Sequence, residues 1–174
     1  HLLRVFLVLL TPLTVLPMNG PRSQAENPGF ELDHFFVAVD GPDAGSTALE
    51  SAGFRITAPQ PHPGQGTASR GIIFENAYLE LIWLADRTEA ESPLIRPTRL
   101  ADRLRPGPGA CPFGLGLRRA GEESPVFTFD TWVYSPPYLP EGTSFQMAAS
   151  SEELNEPLVF YLPWATGGGH PPPE

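Results

Sequence analysis

The sequence predicts an α+β chain of many short strands and little helix. Two observations carry this. Short apolar or alternating runs recur along the chain, each closed by Gly, Pro, Asp or Asn, as strands are. Helical spacing is confined to two short stretches, and Pro106-Gly107-Pro108-Gly109 divides the chain into two strand-rich halves.

In the first half, Leu32–Val39 is apolar on both faces, so both faces should be covered. Asp40-Gly41-Pro42-Asp43 turns the chain into a helix in which Ala44, Ala48, Leu49 and Ala52 recur at helical spacing, stopped by Gly53. Phe54–Thr57 reads as a short strand and Ala58–Ser69 as a Pro/Gly loop. Arg70–Glu75 then pairs with Ala77–Leu84 as a hairpin across Glu75-Asn76. Asp86–Pro97 is polar and loop-like, with Leu94-Ile95 able to dock, and Thr98–Leu104 is a short helix.

In the second half, Phe113–Arg119, Val126–Tyr134, Ser144–Ala148 and Pro157–Trp164 read as strands, with Pro136–Pro140 as a rigid connector. Gly121–Val126 is too short for a helix and contains Pro125, so this half lacks most of one.

Composition limits the partners. Apolar residues make up 41% of 174, enough for the core of one domain. Formal net charge is −9 and all 11 basic residues are Arg, scattered rather than gathered on one face. Nucleic acid is therefore not an expected partner. Residues 1–25 carry an apolar run from Val5 to Leu16, too short to span a bilayer, then Ser23-Gln24-Ala25. They read as an export signal cut after Ala25, with a secreted or periplasmic domain over 26–166 and a Pro/Gly tail over 167–174. No stable membrane span is expected after the cut. The lone Cys111 excludes an internal disulfide and reads as a small buried residue.

Several strings resemble one family. LDHFFVAVD, HPGQGTASRGIIF, NAYLELIWL and PFGLGLR, followed by PPYLP and EPLVFYLPW, are similar in content and order to the glyoxalase-like domain of the vicinal oxygen chelate superfamily. That superfamily groups glyoxalases, bleomycin-resistance proteins and extradiol dioxygenases. The resemblance spans Leu32 to Trp164. It implies paired βαβββ units (here about 32–84 and 111–164) whose mixed sheet curves into a cup, the second unit lacking most of its helix. It also implies a small-molecule ligand, often one divalent metal, and a possible homodimer. His34 stands at the first-strand ligand position and Glu80 at the last-strand position. The second unit offers no matching donors: Cys111–Leu115 has none, and Phe160-Tyr161-Leu162 stands where an acid would be expected.

The residues themselves allow several readings. His34 and Glu80, each alone in an apolar strand, suit a divalent cation through imidazole nitrogen and carboxylate oxygen. Gln146 or His170 would then be the third ligand. Without metal, Glu80 and His34 are catalytic acid/base partners; without function, they are a buried pair that fixes the sheet. In the loop, Gln65, Thr67 and Arg70 are substrate-binding candidates, with Arg70 as a fork for an anion; its structural alternative is a pair with Glu75 or Glu80. Tyr161 is the best-placed aromatic of the cup. The resulting function is an exported protein binding a small oxygenated or anionic metabolite, with lyase, isomerase or oxygenase chemistry; the alternative is a binding module without catalysis.

Overall fold

The computed structural model describes residues 29–105 and 109–166. The expected export signal and the tail lie outside the described residues, as does His170. Eight strands form one sheet: β1 (Phe30–Ala38), β2 (Gln60–His62), β3 (Thr67–Ile73), β4 (Tyr78–Leu84), β5 (Phe113–Arg119), β6 (Thr131–Tyr134), β7 (Phe145–Ala148) and β8 (Leu158–Thr166). Their order is β2-β3-β4-β1-β5-β8-β7-β6. In each half the first strand lies parallel to the last, β1 on β4 and β5 on β8, while the other neighbours are antiparallel. The halves meet where β1 and β5 pair. These are the paired βαβββ units of the expected α+β fold.

Helix is sparse. α1 (Ser46–Ser51) follows β1, and α2 (Arg87–Ala90) and α3 (Leu100–Arg103) lie between the halves. Residues 120–130, where the second unit would carry its helix, contain none. Phe127 instead packs edge-on against Phe30 and Tyr161. Among the described residues no helix is long and apolar enough to cross a membrane.

Four expected elements shift, the first being the strand expected over Arg70–Glu75, which is β3 at Thr67–Ile73 and takes Thr67–Ser69 out of the expected loop. Phe54–Thr57 is not a strand; β2 forms later, at Gln60–His62, because His62 and Gln60 pair with Thr67 and Ser69 across the Gly64–Gly66 turn. The strand expected over Val126–Tyr134 is regular only from Thr131, where β7 supplies a partner. The helix expected over Thr98–Leu104 splits into a 3₁₀ turn at Arg96–Thr98 and α3, with Arg99 between them in the left-handed region.

The core lies on the concave face. Phe36, Ile82, Phe145, Met147 and Phe160 meet Ile95, Leu100 and Leu104 from the segment that closes one end of the cup. Arg103 pins this segment: its guanidinium donates to the carbonyls of Ser151, Glu153 and Glu156 at 2.6, 2.8 and 2.6 Å. Burying so large a cation is tolerable because these donors find acceptors.

Two glycines of β5 set how deep the cup is. Gly114 and Gly116 pair with Phe36 and His34 of β1. A Cβ at Gly116 would lie 2.5 Å from Cε1 of His34, and one at Gly114 would meet the Phe36 ring. The β1 side chains thus lie across bare β5 backbone. Gly114→Ala should cost about 1–3 kcal/mol of stability in urea unfolding, as overpacked cores do; an unchanged midpoint would mean that Phe36 has room to move.

Candidate functional site

The concave face holds a half-open cavity of about 200 Å³ with an apolar floor and one polar end. Phe36, Leu158, Phe160 and Leu162 contribute to the floor. His34, His62, Gln65, Tyr78 and Glu80 form the polar end.

His34 owes its orientation to an irregularity in β1. The register against β5 shifts between Leu32 and His34, so Asp33 is an extra residue. In a regular strand, neighbouring side chains point to opposite faces. At a bulge they can meet, and here Asp33 Oδ1 lies 2.8 Å from His34 Nδ1. Asp33 is held in turn by Arg118 Nη1 at 3.5 Å, and Arg118 donates to Glu31 and to the Asn76 carbonyl. An ionised Asp33 accepts only, so it places the proton of the neutral ring on Nδ1 and turns the Nε2 lone pair toward the cup.

Glu80 faces that lone pair. β1 and β4 run parallel with Phe36 opposite Glu80, so His34 and Glu80 share the concave face. His34 Nε2 lies 3.8 Å from Glu80 Oε2. The His34 ring stacks on Tyr78 with centroids 4.4 Å apart.

His62, not among the site residues expected from sequence, also belongs to the cup. On β2 it reaches the same carboxylate from the other side, with Nε2 4.0 Å from Glu80 Oε1. Its ring stacks on Tyr138 at 4.6 Å. Burial, opposed by the charge of Glu80, holds its pKa below the ordinary histidine value. Burial also raises Tyr78, Tyr134 and Tyr138, with Glu80 adding to Tyr78 and Tyr138, so these phenols stay neutral donors.

The other expected site residues divide by strand parity. Gln65 lines the cup, and its amide nitrogen lies 2.8 Å from Thr67 Oγ1; Thr67 sits behind it, fully buried. Arg70 is not at the cup. It pairs with Leu81 in the ladder and so takes the opposite face, where Nη1 donates to the Pro42 carbonyl and Ser46 Oγ and stands 4.0 Å from Asp43. The expected pair with Glu75 or Glu80 is likewise replaced by these contacts. Tyr161 is also on the outer face: it is the neighbour of the cup-lining Phe160 and packs on Phe30 and Phe127. Gln146 pairs with Tyr161 in the ladder and contacts Thr131, away from the metal position suggested for it. Cys111 is only half-buried.

The donor set falls short of a metal centre. Among the described residues no three His, Cys, Asp or Glu side chains are grouped to hold an ion. At the strand positions matching His34 and Glu80 the second unit presents Gly114, Gly116, Leu158 and Phe160, none of which has a side chain that can ligate a metal; its other cup-lining residues include Tyr134, Tyr138 and Trp164. The place a β5 ligand would occupy is filled by the His34 ring itself.

A family profile for the glyoxalase-like domain matches residues 32–172. The chain belongs to this family. Among solved structures, the glyoxalase-like chain is similar to a hypothetical protein from Bacillus halodurans C-125, at 12% identity and a TM-score of 0.47, covering 81% of this chain and 99% of that one. It is similar to a methylmalonyl-CoA epimerase in complex with methylmalonyl-CoA and NH4+, at 12% identity and a TM-score of 0.49, covering 80% and 97%. It is also similar to the methylmalonyl-CoA epimerase from Mycobacterium tuberculosis, at 14% identity and a TM-score of 0.42, covering 78% and 88%. No curated protein matches it.

The lowered His62 pKa gives stability a pH dependence of definite sign. The unfolded ring titrates near 6.5 and the folded ring lower, so between the two values the unfolded chain binds more protons. The contribution is complete above the unfolded value and is lost as pH falls through that range. The urea midpoint should drop between about pH 7.5 and 5.5, and His62→Gln should drop less. Equal slopes in the two proteins would contradict this burial.

Proposed function

We propose that this glyoxalase-like protein binds a small, neutral, oxygen-bearing metabolite in its cup and moves a proton on it, with Glu80 and His34 as the acid/base pair. The carrying observation is the facing of His34 Nε2 and Glu80 Oε2 across 3.8 Å at the polar end of an apolar cavity. Two acceptors so placed suit a ligand that brings an acidic O–H, N–H or C–H to both; the one that takes the proton becomes the acid that returns it.

Size and charge narrow the ligand. A cavity of about 200 Å³ holds the volume of roughly six or seven waters, which suits a small molecule or one small moiety of a larger one. No arginine lines it among the described residues, and Glu80 carries a formal negative charge there. Of the oxygenated and anionic ligands expected from sequence, this favours the uncharged one. With Arg70 turned away, the cation meant for an anion is absent from the cup.

Proton transfer separates this reading from simple sequestration. A ligand found by thermal-shift screening should exchange an acidic C–H for deuterium in D₂O in the presence of the protein, followed by NMR. Glu80→Gln should abolish the exchange and weaken binding about tenfold, the loss expected for one charged hydrogen bond. Tight binding with no exchange by the wild type would establish the sequestration reading instead.

A divalent metal on His34 and Glu80 is the second reading. The Asp33 contact favours it, because a carboxylate on Nδ1 is how proteins aim an imidazole Nε2 at a metal. The missing donors of the second unit oppose it. Titration with Mn²⁺, Ni²⁺ and Zn²⁺ should leave the melting temperature of the wild type and of His34→Ala equally unmoved. A shift that His34→Ala removes would establish the metal.

A further inference from the structure

His62 has no task in the acid/base pair, yet a chain of buried groups holds it in place. The chain starts at Tyr134, whose hydroxyl lies 2.6 Å from Gln65 Oε1. Gln65 is the one hydrogen-bond partner of this phenol among the described residues, so the hydroxyl donates to it. That fixes the amide: Oε1 faces Tyr134, and Nε2 donates to Thr67 Oγ1 at 2.8 Å. The Thr67 hydroxyl, having accepted from Gln65, has its own proton to give, and His62 Nδ1 lies 2.8 Å away. A ring nitrogen that accepts leaves the proton of the neutral ring on the other nitrogen. That nitrogen, Nε2, faces Glu80 Oε1 at 4.0 Å and Ser69 Oγ at 3.5 Å, too far for either to hold it tightly.

We infer that Tyr134, Gln65 and Thr67 are positioning residues that fix the proton of His62 on Nε2, opposite to His34, so that the cup presents an acceptor pair at His34–Glu80 and a donor at His62. This rests on the acid/base reading of the same cup and adds to it the role of His62 and a ligand edge. The matching edge carries an N–H or O–H donor next to a carbonyl oxygen, as in a lactam or a hydroxyketone. In the hydroxyketone Glu80 takes the C–H proton of the carbon that bears the hydroxyl; the electron pair of that C–H bond forms the C=C bond of an enediolate, and the carbonyl π pair moves onto the carbonyl oxygen. His62 Nε2–H hydrogen-bonds that oxygen and keeps its proton; the ligand's hydroxyl proton passes to the oxyanion, and the carboxyl group returns the proton it took to the former carbonyl carbon, which completes the isomerisation.

Long-range ¹H–¹⁵N NMR of the full chain with ¹⁵N-labelled histidine reads both tautomers without any ligand. At neutral pH the expected result is Nε2–H for His62 and Nδ1–H for His34. Thr67→Val should turn His62 into a tautomer mixture while His34 is unchanged, Tyr134→Phe should do the same without altering the shape of the core, and Thr67→Ser should restore the wild-type spectrum. Nδ1–H on His62 in the wild type, or an unaltered His62 in Thr67→Val, overturns the inference. For the ligand edge, 2-pyrrolidone should shift the ring signals of both histidines and N-methyl-2-pyrrolidone should not; equal shifts, or none with the lactam, remove that class. Absence of deuterium exchange in the screened ligand would instead strike the acid/base reading and leave the tautomers standing.

Discussion

The site depends on a contact that has no side chain on one of its sides: the His34 ring lying against the backbone of Gly116. Where β1 and β5 pair at the centre of the sheet, any larger residue on β5 would push the ring into the cavity. Glycine at Gly116 and Gly114 lets His34 and Phe36 fold over the neighbouring strand. The same contact leaves no room for a donor side chain on β5. A donor on β5 and a seated His34 ring would compete for one space, so among the described residues the histidines and the carboxylate of the cup come from the first unit, while the second unit adds Tyr134, Tyr138 and Trp164. The lack of a donor on β5 and the placement of His34 thus have one steric cause.

Electrostatics refines what the packing permits. The bulge at Asp33 brings neighbouring side chains together, and Arg118 compensates a carboxylate that would otherwise be buried without a partner. The result is an imidazole aimed at Glu80 with its lone pair forward. On the far side of the carboxylate His62 is held by neutral groups only, Thr67, Gln65 and Tyr134, and by stacking on Tyr138. The two histidines share a carboxylate but differ in what stands behind them, and that difference is what the cup has to work with.

Much of this was legible in the sequence. His34 and Glu80 stood out because each is a polar residue alone in an apolar strand, and the parallel pairing of β1 with β4 then brings them onto one face. The strand expected over Phe113–Arg119 is β5 with the same bounds. His62 was missed because Pro61 and Pro63 on either side of it argue against a strand, although β2 forms as a three-residue edge where the missing N–H donors are tolerated. The signal that could have found it is the His-x₄-Thr spacing across the Gly64–Gly66 turn, which makes His62 and Thr67 opposite residues of a hairpin. The repeat puts Tyr161 opposite Glu80, but it takes the outer face; Leu158–Leu162 is apolar at every position, so periodicity does not say which residues point inward. Arg70 was drawn to the cup by its chemistry, whereas parity places it beneath the start of α1. The bulge at Asp33 had no sequence signature, since it arises from pairing with a strand about eighty residues away.

The most direct test is where a bound ligand places its polar end. In a crystal structure with the tightest ligand from screening, the account predicts an N–H, O–H or activated C–H seated between His34 Nε2 and Glu80 Oε2, with the apolar remainder on Phe36 and Phe160. A ligand whose polar end turns away from this pair, or a metal ion held by His34 and Glu80 together, would contradict it.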